Sequence, residues 1–321
     1  MITSSLPAFE AYSNAFGKTI VDTDFQTGAA GFLKSVELDP TFALAQFQIF
    51  TLSLLTREID PDTATKARQA ALTYLPRLPD RLQFLLKYFY YNNSQETQKA
   101  MRVLDLWAKL IPNDPLVYQL RASDEQLTGK YEAAVASISR ALELFPGDSM
   151  ILLQLADLHE RANQNEKARD VYRRLIALFP EDTTGYLKLG DNLFEAAELT
   201  DAAEQYEHVV LLDPTNAAGQ VGQALILSRS GDVDAALTQL ETLSNTASSK
   251  QDRALALEKR TALLESRGRI DEAIKTFETW STVAKDGMSY SRYLVSRARL
   301  HRLYVKANRT ADAMSGLDAM A

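Results

Sequence analysis

The chain has 321 residues, with 35 Lys and Arg against 42 Asp and Glu for a net charge of −7. That length brackets two or three globular domains or one elongated array, and the acidic balance excludes a surface of clustered positive charge built for polyanions, so nucleic acid is not an expected partner. The absence of cysteine excludes disulfides, thiolate metal sites and cysteine nucleophiles without fixing a compartment.

Residues 1–9 lack a basic stretch followed by an apolar run, so no secretory signal is read there. The most apolar stretch, residues 47–55, is broken by Gln48, Thr51 and Ser53 and is too short to span a bilayer, so no membrane insertion is expected of this chain. Phe16-Gly17-Lys18-Thr19 looks like the end of a phosphate-binding loop, but Tyr12 stands where the earlier glycine belongs and the context is helical. Phe32, Val36, Leu38, Asp39 and Pro40 read as the end of a helix, and Phe42-Ala43-Leu44-Ala45 as the start of the next. Phe84, Tyr88 and Tyr91, flanked by Leu85, Leu86, Phe89 and Tyr90, make a stripe that is apolar nearly all round. Such a helix is buried between neighbours, the alternative being an exposed aromatic patch for a partner.

A period of 34 residues then takes over. Pro112, Pro146, Pro180 and Pro214 keep that step, as do Ala100, Ala134, Ala168, Ala202 and Ala236. Each unit reads as two helices, for example residues 149–162 and 166–179, with Asn163 to Asn165 as the turn. Alanine is needed where two helices approach closely, and proline stops the second helix because it lacks a donor and clashes with the preceding turn. The turn into the second helix recurs at 129–134 and 231–236, again at 268–273 after a three-residue insertion, and more weakly at 308–313.

The histidines, His159, His208 and His301, have no metal-pair spacing and read as packing or surface residues. Carboxylate pairs such as Asp157 with Glu160 suit a solvated helix, and no nucleophile elbow, dinucleotide loop, calcium loop or kinase signature is present. No catalysis and no cofactor are therefore expected. Between residues 285 and 309, seven basic residues face one acid, leaving −13 on the rest of the chain. Within that run Arg292, Arg299, Arg302 and Lys306 form a secondary basic patch, suited to capping or to an acidic partner or lipid head group. Reversing Arg299 and Arg302 is expected to leave thermal stability nearly unchanged.

The repeat resembles the tetratricopeptide repeat. Residues 183–216 carry the signature at Tyr186, Leu189, Gly190, Ala202, Tyr206 and Pro214, and the preceding copy carries it at Leu152, Leu155, Ala156, Ala168, Tyr172 and Pro180. The resemblance implies an all-α fold, a superhelix of about eight or nine pairs of antiparallel helices. It would be irregular over 1–111, regular over 112–248, and divergent with a capping helix over 249–321. Phe50, Tyr88, Trp107 and Trp280 replace residues that the repeat usually keeps small, and a small-ligand pocket near Phe50, Tyr88 and Trp107 is the alternative function. A narrower resemblance rests on Thr3-Ser4-Ser5-Leu6, Ala11-Tyr12-Ser13, the stretches 35–40 and 41–45, Leu78-Pro79-Asp80-Arg81 and Tyr88-Phe89-Tyr90-Tyr91. These are similar to the opening of the tetratricopeptide region of bacterial serine/threonine kinases. It implies a sensor or docking region of a signalling protein, outside the cytoplasmic membrane, with a cytoplasmic placement as the alternative.

By resemblance, the concave wall would be lined by Gln119, Ser123 and Gln126, then Leu153, Asp157 and Glu160, then Leu187, Asp191 and Phe194, then Val221 and Leu225. Such a wall, apolar with an acidic rim, suits a protein or peptide segment carrying apolar anchors and Lys or Arg. The subclass that clamps a terminal carboxylate has lysines and asparagines where this chain has Gln119, Ser123, Gln154 and Thr184, so binding to such tails is not expected.

Overall fold

The computed structural model describes residues 3–284, 290–309 and 312; these residues contain no strand and are mostly helical. They fall into two compact units, Met1–Pro146 and Gly147–Ala321. In the first, α1 (Leu6–Ile20) pairs with α2 (Phe25–Leu38), α3 (Ala43–Leu55) with α4 (Pro61–Thr73), α5 (Asp80–Asn93) with α6 (Thr97–Leu110), and α7 (Pro115–Leu127) with α8 (Tyr131–Leu144). In the second, α9 (Ser149–Arg161) pairs with α10 (Asn165–Leu178), α11 (Thr183–Glu195) with α12 (Leu199–Leu212), α13 (Ala217–Arg229) with α14 (Val233–Thr246), and α15 (Lys250–Ser266) with α16 (Ile270–Ala284). A further helix, α17 (Tyr290–Lys306), packs on α16.

The periodic residues explain the pairing. Ala100, Ala134, Ala168, Ala202 and Ala236 expose no surface at all, and Ala273 continues the series past the insertion. Only a methyl group separates the backbones there, which lets the ridges of one helix settle into the other. Around Tyr206 even a methyl is too large: a Cβ at Gly222 would lie 2.4 Å from its ring, and one at Gly190 would lie 3.0 Å away.

The turns repeat as strictly. Gln95, Gly129, Asn163, Ala197 and Gly231 all have positive φ, each 34 residues after the last, and Gly268 follows beyond the insertion. At Ala197 the amide returns to the Phe194 carbonyl and the next amide, Glu198, to the Leu193 carbonyl, each at 3.0 Å, closing the end of α11. The same turn forms at Asn308, while most of the residues after it lie outside the described ones. Asp114, Asp148, Asp182 and Asn216, also 34 apart, cap α7, α9, α11 and α13 by accepting amide hydrogens at their starts.

Of the large residues at nominally small positions, Phe50, Tyr88 and Trp107 are absorbed into the core, while Trp280 is half-buried and stacks on Phe277. Trp107 is fully buried, stacks on Phe84 with ring centroids 5.9 Å apart, and donates its indole N–H to Asp114 at 3.1 Å. Tyr88 donates its hydroxyl to Asp124 at 2.8 Å, and Phe50 meets Phe89 edge-on. Phe50, Tyr88 and Trp107 expose 3%, 2% and 0% of their surface, so these three side chains are core residues and do not themselves line an open pocket. The 84–91 stripe is buried or half-buried along its length, as its all-round apolarity requires. Phe16 to Thr19 sit inside α1, where Lys18 pairs with Asp22 at 2.7 Å and Thr19 donates to the Ala15 carbonyl. They are helix residues and form no loop.

Gly222→Ala drives a methyl into the Tyr206 ring and is expected to cost ~1–3 kcal/mol in chemical denaturation. Gly147→Ala, with no atom within 4 Å, is the near-neutral control. Ala197→Gly relieves a left-handed alanine at φ 63 and is expected to gain ~0.5–1 kcal/mol.

Candidate partner-binding face

In the 147–321 unit the first helices of successive pairs touch directly, α11 on α13 and α13 on α15, whereas the second helices do not approach one another as closely. A stack that is tighter on one side curves toward that side, so α9, α11, α13 and α15 line its inner wall.

Two tyrosines from the second helices reach through to that wall. Tyr206 donates its hydroxyl to Asp191 at 2.9 Å, and Tyr172 places its hydroxyl against Glu160 with Asp157 and Asp191 nearby. Burial pushes both phenols well above their ordinary range, and the adjacent carboxylates push them further. Asp191 is exposed, yet protein surrounds it on the curved wall. Loss of hydration raises its carboxyl above the usual range, with Glu160 adding to the rise while Tyr206, Lys188 and Lys259 oppose it. Lys259 stands on α15, two pairs further along, so charges on this wall act on one another across its curve. Glu160 is held in place by the Asn192 amide at 2.7 Å, and Asn192 in turn accepts from the nearly buried Arg169 at 2.8 Å. Arg169 also bridges Glu166 and Glu198. Asp157 pairs with Arg161 at 2.7 Å.

The apolar part is narrower than the sequence pattern implies. Leu153, Leu187 and Leu225 are half-buried and packed against the core cluster around Leu189 and Leu193. Phe194 and Val221 expose only 9% and 4%. Phe194 lies under the Arg229 guanidinium, 5.0 Å from the ring centroid, and Val221 packs in the neighbouring core. The accessible apolar surface of the wall is thus a row of leucines beside a row of carboxylates.

A sequence profile of the tetratricopeptide repeat matches residues 120–183 and 187–252. Yeast Tom70 is similar in structure with a TM-score of 0.63, at 19% identity, over 95% of this chain and 66% of that one. A tetratricopeptide repeat protein from Parabacteroides merdae aligns over 94% of this chain and 100% of its own, at 10% identity and a TM-score of 0.55. Both likenesses concern the fold alone, and the chain spans 66% of the Tom70 chain. No curated protein matches the sequence significantly. The fold is a tetratricopeptide-repeat superhelix.

Within this repeat array the structure brings Leu153, Asp157, Glu160, Leu187, Asp191 and Leu225 onto one wall of the 147–321 unit. Gln119, Ser123 and Gln126, all half-buried on α7, belong to the other unit. In the sequence Tyr172 and Tyr206 stand out as repeat markers, and their contacts with carboxylates do not show. The signal was their own 34-residue spacing together with Glu160 and Asp191, acids on the facing first helices. His159 meets Gln164 at 2.9 Å, and burial lowers its pKa; His208 stacks on Tyr186 with centroids 5.2 Å apart. Among the described residues no group of three or more His, Asp and Glu is placed to hold a metal.

The basic patch on α17 is partly consumed within the chain. Glu265 receives both Lys306 at 2.6 Å and Arg299 at 3.5 Å, which holds its carboxyl below the usual range, and Arg299 also lies over the Phe277 ring at 5.3 Å. Arg302 is exposed, and the Arg292 side chain lies outside the described residues. The expectation that reversing Arg299 and Arg302 leaves stability unchanged is therefore corrected for Arg299, because reversal would set an acid against Glu265 and remove the ring contact.

Asp191→Asn keeps the acceptor for Tyr206 and removes an incompletely hydrated charge. A folded-state carboxyl raised above its unfolded value makes the protein lose stability as pH rises through that interval. The variant is expected to melt at or above the parental temperature near neutral pH, and to show a smaller decline across the interval above the usual carboxylate range. Thermal scans over a pH series check both.

Proposed function

We propose that the chain is a non-enzymatic docking module whose inner wall in the 147–321 unit holds a partner segment with apolar anchors and Lys or Arg. The tetratricopeptide fold is a scaffold for protein–protein interaction, which gives the coarse reading. The observation that supports the finer one is the arrangement of Leu153, Leu187 and Leu225 beside Asp157, Glu160 and Asp191 on a single wall. Buried apolar area supplies affinity there, and complementary charge fixes the orientation of the segment. Asn192 and the two tyrosines hold Glu160 and Asp191 before any partner arrives, which reduces the ordering cost of binding.

The likeness of the first 120 residues to kinase-associated tetratricopeptide regions supports a role as the sensor or docking region of a bacterial signalling protein, lying outside the cytoplasmic membrane. No helix of the described residues is long and apolar enough to cross a membrane.

Selection of peptides from a random displayed library tests the wall whatever its natural partner is. Enriched sequences are expected to combine large apolar residues with Lys or Arg and to bind saturably. Leu187→Glu with Asp191→Lys is expected to weaken them by ~10–100-fold, or ~1.4–2.7 kcal/mol, while helicity and cooperative melting persist. On acidification, binding is expected to weaken before the usual carboxylate range is reached, because the raised Asp191 carboxyl takes up its proton early. Acidic consensus peptides, or affinity indifferent to the double variant, would refute the reading.

A further inference from the structure

The 1–146 unit concentrates exposed apolar surface on its first pair. On α1, Leu6, Phe9, Phe16 and Ile20 are 67%, 44%, 41% and 63% exposed, and Val21 and Phe25 just beyond are 79% and 38% exposed. At ~100° per residue, positions 6, 9, 13, 16 and 20 lie within an arc of ~80°, turned about a quarter of a circle from Ala8, Tyr12 and Ala15, which face the core. This stripe is separate from the face that holds α1 on α2.

Two features say what covers it. The first is that the stripe is complementary to its own reverse. If a second α1 lies antiparallel across a twofold axis at Ser13, position n faces position 26 − n. Leu6 then meets Ile20, Phe9 meets Gly17, Phe16 lies along the Glu10 stem, and Ser13 meets itself, with no like charges opposed. Gly17 matters here, because a glycine inside a helix costs ~0.5–1 kcal/mol relative to alanine and, apart from its chain neighbours and the backbone of its own helix, nothing comes within 4 Å of where its Cβ would be. In the twofold pair the Phe9 ring of the second copy occupies that hole. The second feature is area. The four residues of the stripe expose a little over two whole side chains' worth of surface, which at ~200 Å² each is ~430 Å² per chain. Two such faces hide ~860 Å² of apolar surface, the size of a weak, concentration-dependent association.

We propose that α1 is a homodimer interface, in which two copies of this chain pack their first helices antiparallel about a twofold axis at Ser13.

Because the chain has no cysteine, Ser13→Cys introduces a single thiol. Two cysteines on the axis meet the Cα separation of ~4.4–6.8 Å that a disulfide requires, whereas Asn14→Cys, about 100° around the helix, does not. Mild oxidation is expected to convert the Ser13→Cys chain into a covalent dimer far faster than the Asn14→Cys chain. Sedimentation of the unmodified chain at ~100 μM is expected to give a dimer, and Phe9→Glu, at an exposed position, to give a folded monomer with unchanged helicity. The proposal is overturned by a chain that stays monomeric at that concentration, by equal cross-linking of the two cysteine variants, or by a dimer that survives Phe9→Glu and Leu6→Glu alike.

Discussion

The whole architecture hangs on one steric requirement, that two helices can close into a pair only where the side chain at their crossing is no larger than a methyl. Ala100, Ala134, Ala168, Ala202, Ala236 and Ala273 meet it with no exposed surface, and the left-handed residue a few positions earlier turns the chain back so that the crossing is reached. Between crossings the pair is filled by one aromatic or branched residue, Tyr172, Tyr206 or Ile138, each buried. Helix pairs built this way leave the first helices free on one side, and the inner wall follows from that.

The wall's chemistry comes from the same repeat. The aromatic that fills each pair is, in two successive repeats, a tyrosine long enough to reach the first-helix side, where its hydroxyl meets a carboxylate. A residue required for packing therefore also positions Glu160 and Asp191, and Asn192 and Arg169 extend the support. Asp191 carries the cost, because its ionised form is incompletely hydrated. A site that gives up some hydration in the free protein is poised to gain from a cation brought by a partner.

How much of this was legible in the sequence depends on range. Features that recur at a fixed step declared themselves: the alanines, the prolines, the glycine turns and the three-residue insertion before Gly268. The turn residues Gln95 and Ala197 did not, since neither is a usual left-handed residue, although counting 34 in either direction from Gly129 and Asn163 finds them. What escaped depends on how tightly neighbouring helices close. Phe194 and Val221 occupy wall positions in the pattern, yet the stack seals over them, and only the leucines beside them stay half-open. The α17 patch is partly consumed within the chain for a related reason: Glu265, 34 residues before Arg299, is brought against it by folding, and no local charge count includes it. Trp107 read as an obstacle because its partners, Phe84 and Asp114, lie on other helices.

The most direct measurement of the central claim is amide hydrogen exchange on the chain with and without a saturating lysine-containing amphipathic peptide. Added protection is expected along one side of α9, α11 and α13, around Leu153, Asp157, Leu187 and Asp191, with α10, α12 and α14 unaltered. Protection confined to the second helices, or to α17, would contradict it.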